Sequence, residues 1–189
     1  TKAIHDTVTK NGGQKATADV QKSQQQADKE GEIVAEADRC LKLLETEGSA
    51  VAFARVLEEV RADMVAVQRR LGITIVDTDT QAIEENIIAM LKEMIAALKK
   101  AQQDLQNPPN PNNNNNPSKP NQRLIDLLAE LKLIKSLQLM VNSRTVMYGK
   151  KYQGEQTADP LIEAELKQLA QRQAKLQDMM NKLWSGANQ

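Results

Sequence analysis

The chain has 189 residues, 25 Lys/Arg balanced by 25 Asp/Glu, and only 2% aromatic residues. Zero net charge excludes a nucleic-acid binder that works by bulk electrostatics, and so few rings argue against an aromatic-lined pocket for small molecules. No apolar run approaches the ~20 residues of a membrane-spanning helix, so no transmembrane segment is expected.

Burial must therefore come from Leu, Ile, Val, Met and Ala, the palette of helical bundles and coiled coils. The charge balance hides an asymmetry. Residues 1–106 carry 14 Lys/Arg against 18 Asp/Glu, a net −4, and residues 107–189 carry 11 against 7, a net +4. The single cysteine, Cys40, permits no internal disulfide, and its place beside Leu41 and Leu44 reads as core filling. A chain opening on Thr1 rather than Met is expected to be trimmed, with any signal peptide already gone.

The first helix is predicted from about Gln14 to Glu47, with a polar beginning and apolar positions at Val34, Ala37, Leu41 and Leu44. The residues before it, with Gly12–Gly13, read as a frayed arm. Gly48 and Ser49 read as a C-cap followed by an N-cap. The second helix, about Ala50 to Leu71, carries Phe53, Leu57, Val60, Met64, Val67 and Leu71 at alternating spacings of 4 and 3, a heptad-type seam. Gly72 is expected to end it. The third helix opens on a capping box of Thr78 and Gln81, and its seam runs through Ile83, Ile87, Met90 or Leu91, Met94, Leu98, Ala101 and Leu105.

Asn107 to Gln122 reads NPPNPNNNNNPSKPNQ. Proline blocks helix continuation and asparagine has no apolar surface to bury, so this stretch is expected to be a linker. The fourth helix is predicted over about Arg123 to Tyr148. Leu124, Leu127, Leu128, Leu131, Ile134, Leu137 and Val141 form its inner face, with Ile125, Leu133, Leu139 and Met140 beside it. That face is too wide for one neighbour. Asp159 and Pro160 then open a fifth helix whose seam is Ile162, Leu166, Leu169, Gln173, Leu176, Met180 and Leu183. Gln173 is its one polar member, of the kind that fixes register, and Trp184 closes the helix.

Motifs that carry chemistry are few. The only histidine is His5, and no CxxC, HExxH, phosphate-loop or dinucleotide glycine pattern occurs. Adjacent pairs such as Glu58–Glu59 and Glu84–Glu85 point in different directions on a helix and read as solvated faces rather than metal ligands. Arg144, Lys150 and Lys151, among Tyr148 and Tyr152, read as complements to a helix C-terminus. The methionines read as core packing.

The segments DTQAIEENIIAMLKEMIAALKKAQQD (Asp79–Asp104) and LIDLLAELKLIKSLQLMVNSRT (Leu124–Thr145), separated by the Asn/Pro stretch, resemble a family of exported helical proteins of planctomycete-type bacteria. In that family a helical region and an LLAELK helix flank a variable Gln, Asn or Pro linker, and some members lie near proton-channel components of energy-transducing envelope systems. The resemblance covers most of residues 30–184. It implies a periplasmic or envelope-associated interaction protein and brings no catalytic residues.

The expectation is thus an all-α protein of elongated helical hairpins with coiled-coil-like seams: residues 1–106, a linker at 107–122, and a C-terminal hairpin at 123–189. The second and third helices are expected to pair, as are the fourth and fifth. The chain is expected to be a non-enzymatic structural or interaction protein without cofactors or metals, contacting a protein partner or itself. The residues singled out for that contact are Leu124, Leu128, Leu131, Ile134, Gln173 and Trp184. The alternative is a regulatory or ligand-binding bundle that holds an apolar ligand.

Overall fold

The computed structural model describes residues 1–47, 51–106, 120–151, 157 and 159–185, without the side chains at 47, 51–52, 101, 104–105 and 120–127. The described residues form α1 (Lys2–Lys10), α2 (Thr17–Glu47), α3 (Val51–Gly72), α4 (Thr78–Gln106), α5 (Pro120–Lys151) and α6 (Pro160–Ser185), with no strand among them. The fold is all-α, as composition and periodicity predict. Two compact units divide the chain, Thr1–Ala89 and Met90–Gln189, and the boundary lies inside α4.

Most of the expected linker, residues 107–119, lies outside the described residues. Its last three residues are helical, because α5 already begins at Pro120. Proline suits that first position: its φ is preset for a helix, and the N–H it lacks would find no intrahelical partner there.

In the first unit α2 and α3 form a closely packed antiparallel pair. Three contacts set the direction. The Ser23 hydroxyl donates to the Leu71 carbonyl at 2.7 Å, a Cβ on Gly31 would stand 2.6 Å from the Gln68 amide nitrogen, and the Arg61 guanidinium forks onto Asp38 at 2.6 and 3.1 Å. The polar-looking start of α2 conceals the reason for this closeness. Ser23, Ala27, Val34 and Ala37 are buried and Gly31 lies on the same face. Small side chains let two helix backbones approach. The sequence had paired the helices seen here as α3 and α4, because their seams are richer in Leu, Ile and Met; size rather than hydropathy selected α2.

α3 buries ten positions between Val56 and Leu71, which at 100° per residue share one continuous half of its circumference. Val56, Leu57, Val60, Met64, Val67 and Leu71 make the apolar part, and Glu59, Asp63 and Arg70 lie along one edge. Cys40, expected in the core, is exposed. It sits one residue, or 100°, out of phase with the Val34, Ala37, Leu41 face.

Two helix ends share one device. At the end of α1, Gly12 takes a left-handed backbone (φ 65°), its N–H donates to Thr9 at 3.1 Å, and the Gly13 N–H donates to Val8 at 2.9 Å. At the end of α3 the same bonds recur: Thr74 N–H to Leu71 at 2.9 Å and Ile75 N–H to Arg70 at 2.8 Å. Here the left-handed residue is Thr74 (φ 58°), not the expected Gly72, which is helical. α1 itself replaces the expected frayed arm. Nine mostly polar residues are marginal alone, but Ile4 is buried and the Thr1 hydroxyl donates to Glu84 of α4.

The cap of α4 is Asp77, one residue before the expected Thr78. Its Oδ1 accepts the Thr80 N–H at 2.9 Å, and the Thr80 hydroxyl lies 2.9 Å from both that oxygen and the Ile75 carbonyl. The buried Arg70 guanidinium stands 3.6 Å from the same carboxylate. Asp77 therefore joins the end of α3 to the start of α4.

In the second unit α5 and α6 pack as an antiparallel pair. Asp159 caps α6 as expected, accepting the Leu161 N–H at 2.9 Å, with Pro160 next. The inner face of α5 is Leu133, Ile134, Leu137, Met140, Val141, Arg144 and Tyr148. Relative to the expected face it is turned toward Leu133 and Met140, leaving Leu131 half-buried and Leu128 exposed. α6 buries Ile162, Glu165, Leu169, Arg172 and Leu176. α5 runs through Gly149 to Lys151.

Candidate interaction surface

The register of the α5/α6 pair is fixed by two side-chain links. Gln138 and Gln173 exchange amide hydrogen bonds, Gln138 donating at 2.7 Å and Gln173 at 2.9 Å. Nearer the α5–α6 connection, the buried Tyr148 hydroxyl donates to the buried Glu165 carboxylate. The polar residue expected inside α6 is thus exposed: Gln173 lies at the rim, and the inward polar position is its neighbour Arg172. Arg172 has a long apolar stem that fills space while its head group seeks polar partners. The basic and aromatic residues near the end of α5 separate in the same way. Arg144 and Tyr148 face inward and Lys150 and Lys151 outward, while Tyr152 lies outside the described residues.

Continuing this register away from the connection sets Leu128 level with Trp184 and Leu131 close to Met180. Trp184 is 92% exposed, and Leu128 and Met180 are exposed as well. Of the six residues singled out from sequence, Leu128, Leu131 and Trp184 therefore lie toward the open end of the hairpin. Ile134 belongs to the core, Gln173 to the register pair, and the Leu124 side chain lies outside the described residues.

A second apolar surface lies on α4, of which the expected seam contained Leu91 and Leu98 but not Ile88 or Ile95. α4 buries Ile83, Ile87, Met90 and Met94, while Ile88, Ile95 and Leu98 are each about half exposed. At 100° per residue these three, with half-buried Leu91, form a separate stripe beside the inner face. The signal was present in the sequence as a second i, i+3, i+7, i+10 series, masked by its overlap with the first.

The described residues hold little suited to chemistry. No group of three or more His, Cys, Asp or Glu among them could hold a metal ion, and no helix among them is long and apolar enough to cross a membrane. Two carboxyls depart from ordinary behaviour. Burial, and then the nearby charge of Glu84, raise Glu30 from 4.5 to about 7. On the α2–α3 rim, the hydrogen bond from Arg61 holds Asp38 below the usual carboxylate range.

Fold and surface together define an all-α protein of packed amphipathic helices with apolar residues left facing outward. Neither the family models, the curated proteins nor the solved structures include a match to this chain.

Proposed function

We propose that the chain is a non-enzymatic helical interaction protein, a scaffold or subunit of a larger assembly that engages a protein partner through its outward apolar residues. The observation that carries this reading is Trp184: the one tryptophan of the chain stands almost fully in solvent, level with exposed Leu128. Tryptophan offers a large apolar face and is strongly enriched among residues that dominate binding. Clustered exposed apolar side chains mark interaction sites, whereas scattered ones do not. The periplasmic or envelope location that accompanies the family resemblance belongs to the same proposal, and cell fractionation tests it separately.

A photo-crosslinking residue placed at Trp184, with Gln177 on the same helix as control, tests the reading in the cells that make the protein. One protein captured at position 184 and not at 177 supports it. Equal labelling at both positions, or none at 184, removes it.

A further inference from the structure

We infer that Asn11 is a site of spontaneous modification, its side-chain amide lost to attack by the Gly12 main-chain nitrogen, at a rate set by how often the end of α1 opens. The inference goes beyond the interaction reading and does not rest on it. Only residues of the first unit carry it.

The sequence supplies the reacting pair. Asn11–Gly12 is the only asparagine–glycine step in the chain. The chemistry asks for a main-chain nitrogen that can approach the preceding side-chain carbonyl carbon, and glycine has no side chain to obstruct it. The bond from the Gly12 nitrogen to Cγ of Asn11 forms and the Cγ–Nδ2 bond breaks. The amide leaves as ammonia, taking the proton of the Gly12 N–H. Water then opens the five-membered imide. Attack at Cγ yields aspartate, and attack at the main-chain carbon yields isoaspartate, whose backbone runs through the former side chain. Water is the one co-reactant.

The structure leaves the pair accessible. Every residue from Asn11 to Ala18 is exposed, and nothing lies within 4 Å of the place a Gly12 Cβ would take. Asn142–Ser143, the step with the next smallest following side chain, offers the contrast. It lies inside α5, where the Ser143 N–H belongs to the helix, and Gln138 donates to the Asn142 side-chain oxygen at 3.0 Å.

In the folded state ring closure is held back. Asn11 has φ −87° and ψ 20°. The Gly12 N–H donates to Thr9 at 3.1 Å and the Gly13 N–H to Val8 at 2.9 Å. For the Gly12 nitrogen to reach Cγ, ψ of Asn11 must turn and the bond to Thr9 must break. α1 resists this weakly by itself, since nine residues are marginal as an isolated helix. Its hold comes from buried Ile4 and from the Thr1 hydroxyl on Glu84. Docking of α1 therefore governs the lifetime of the Asn11 amide. The product acts back on the helix. Either acid places a negative charge at a helix C-terminus, where the macrodipole disfavours it. Isoaspartate also lengthens the main chain by a carbon, so the two cap bonds lose their register.

Peptide mass spectrometry of the full chain, stored for weeks at neutral pH in native buffer and in guanidinium chloride, reads the conversion. Asn11 should convert in both, with isoaspartate among its products, and roughly tenfold faster in denaturant, where the helix end is permanently open. Asn142 should keep its amide in the native chain. Ile4→Ala should bring the native rate at Asn11 to within about twofold of the denatured one. Thr1→Val, which leaves Ile4 in place, should raise that rate by a smaller factor, and circular dichroism checks that both variants keep their helices. A native rate at Asn11 no greater than that at Asn142 overturns the site. A native rate equal to that in denaturant, or one unmoved by both substitutions, overturns its control by α1.

Discussion

Glu30 is held away from the ordinary ionisation of a glutamate. Half-buried on α2 near Glu84, its carboxyl holds a proton up to about pH 7, against 4.5 for an ordinary glutamate. Between those values the native state binds more protons than the unfolded chain, so stability falls as pH rises and levels off above about 7. Glu30→Gln, which keeps the shape and never ionises, should raise the melting temperature at pH 8 by on the order of a few degrees, solvent screening moderating the gain. It should also flatten the decline between pH 5 and 7. Thermal melts of both proteins at pH 5, 6, 7 and 8 check this, and parallel curves would show that Glu30 is not held in its protonated form. No motif in the sequence marks this residue. A glutamate in a run of polar residues looks solvated until α4 brings Glu84 beside it.

At the level of single helices, the ends were read less well than the faces. Asp77 shows why. Thr78 and Gln81 match a capping pattern, but Asp77 offers its carboxylate to the Thr80 N–H and stands 3.6 Å from the Arg70 guanidinium as well. Asp77→Ala should destabilise by about 2–4 kcal/mol, losing a cap and a charged hydrogen-bond acceptor together. Amide exchange should then quicken first in the opening turn of α4; uniform quickening along the chain would place the effect elsewhere. The faces of α5 offer a graded comparison. Leu137 is fully buried and Leu131 only half. Leu137→Asp should cost about 4 kcal/mol or more, and Leu131→Asp about 1–2 kcal/mol. Chemical denaturation of the two variants decides, and equal losses would mean that the inner face extends as broadly as its sequence pattern. Heptad spacing located α3, α4 and α6, because Leu, Ile and Met recur there strongly. It passed over the contact face of α2, where Ser23, Ala27 and Gly31 carry too little hydropathy to register but enough smallness to bring α3 close.

For the whole molecule, class was legible and arrangement was not. Sparse rings, periodic aliphatic residues and proline placement led to an all-α chain, and Asp159–Pro160 opened α6 where expected. The partner of each helix was less accessible, since an amphipathic face says that something covers it without saying what. The same ambiguity drew Leu91 and Leu98 of the outward stripe of α4 into its expected seam, and turned the inner face of α5 by one position. Trp184 was among the residues singled out, yet sequence could not distinguish a packed tryptophan from a solvated one.

That exposure has a practical reach. Trp184 is the only indole in the chain, and it meets water before unfolding as it does after. Its fluorescence is therefore nearly blind to denaturation: emission should barely change colour while circular dichroism loses the helices. Among the described residues, the buried Tyr148 ring is the tyrosine whose signal should follow folding. The same blindness makes the indole a clean reporter of docking. A blue shift or quenching on adding another macromolecule, with helicity unchanged, would register coverage of one helix end without any attached dye.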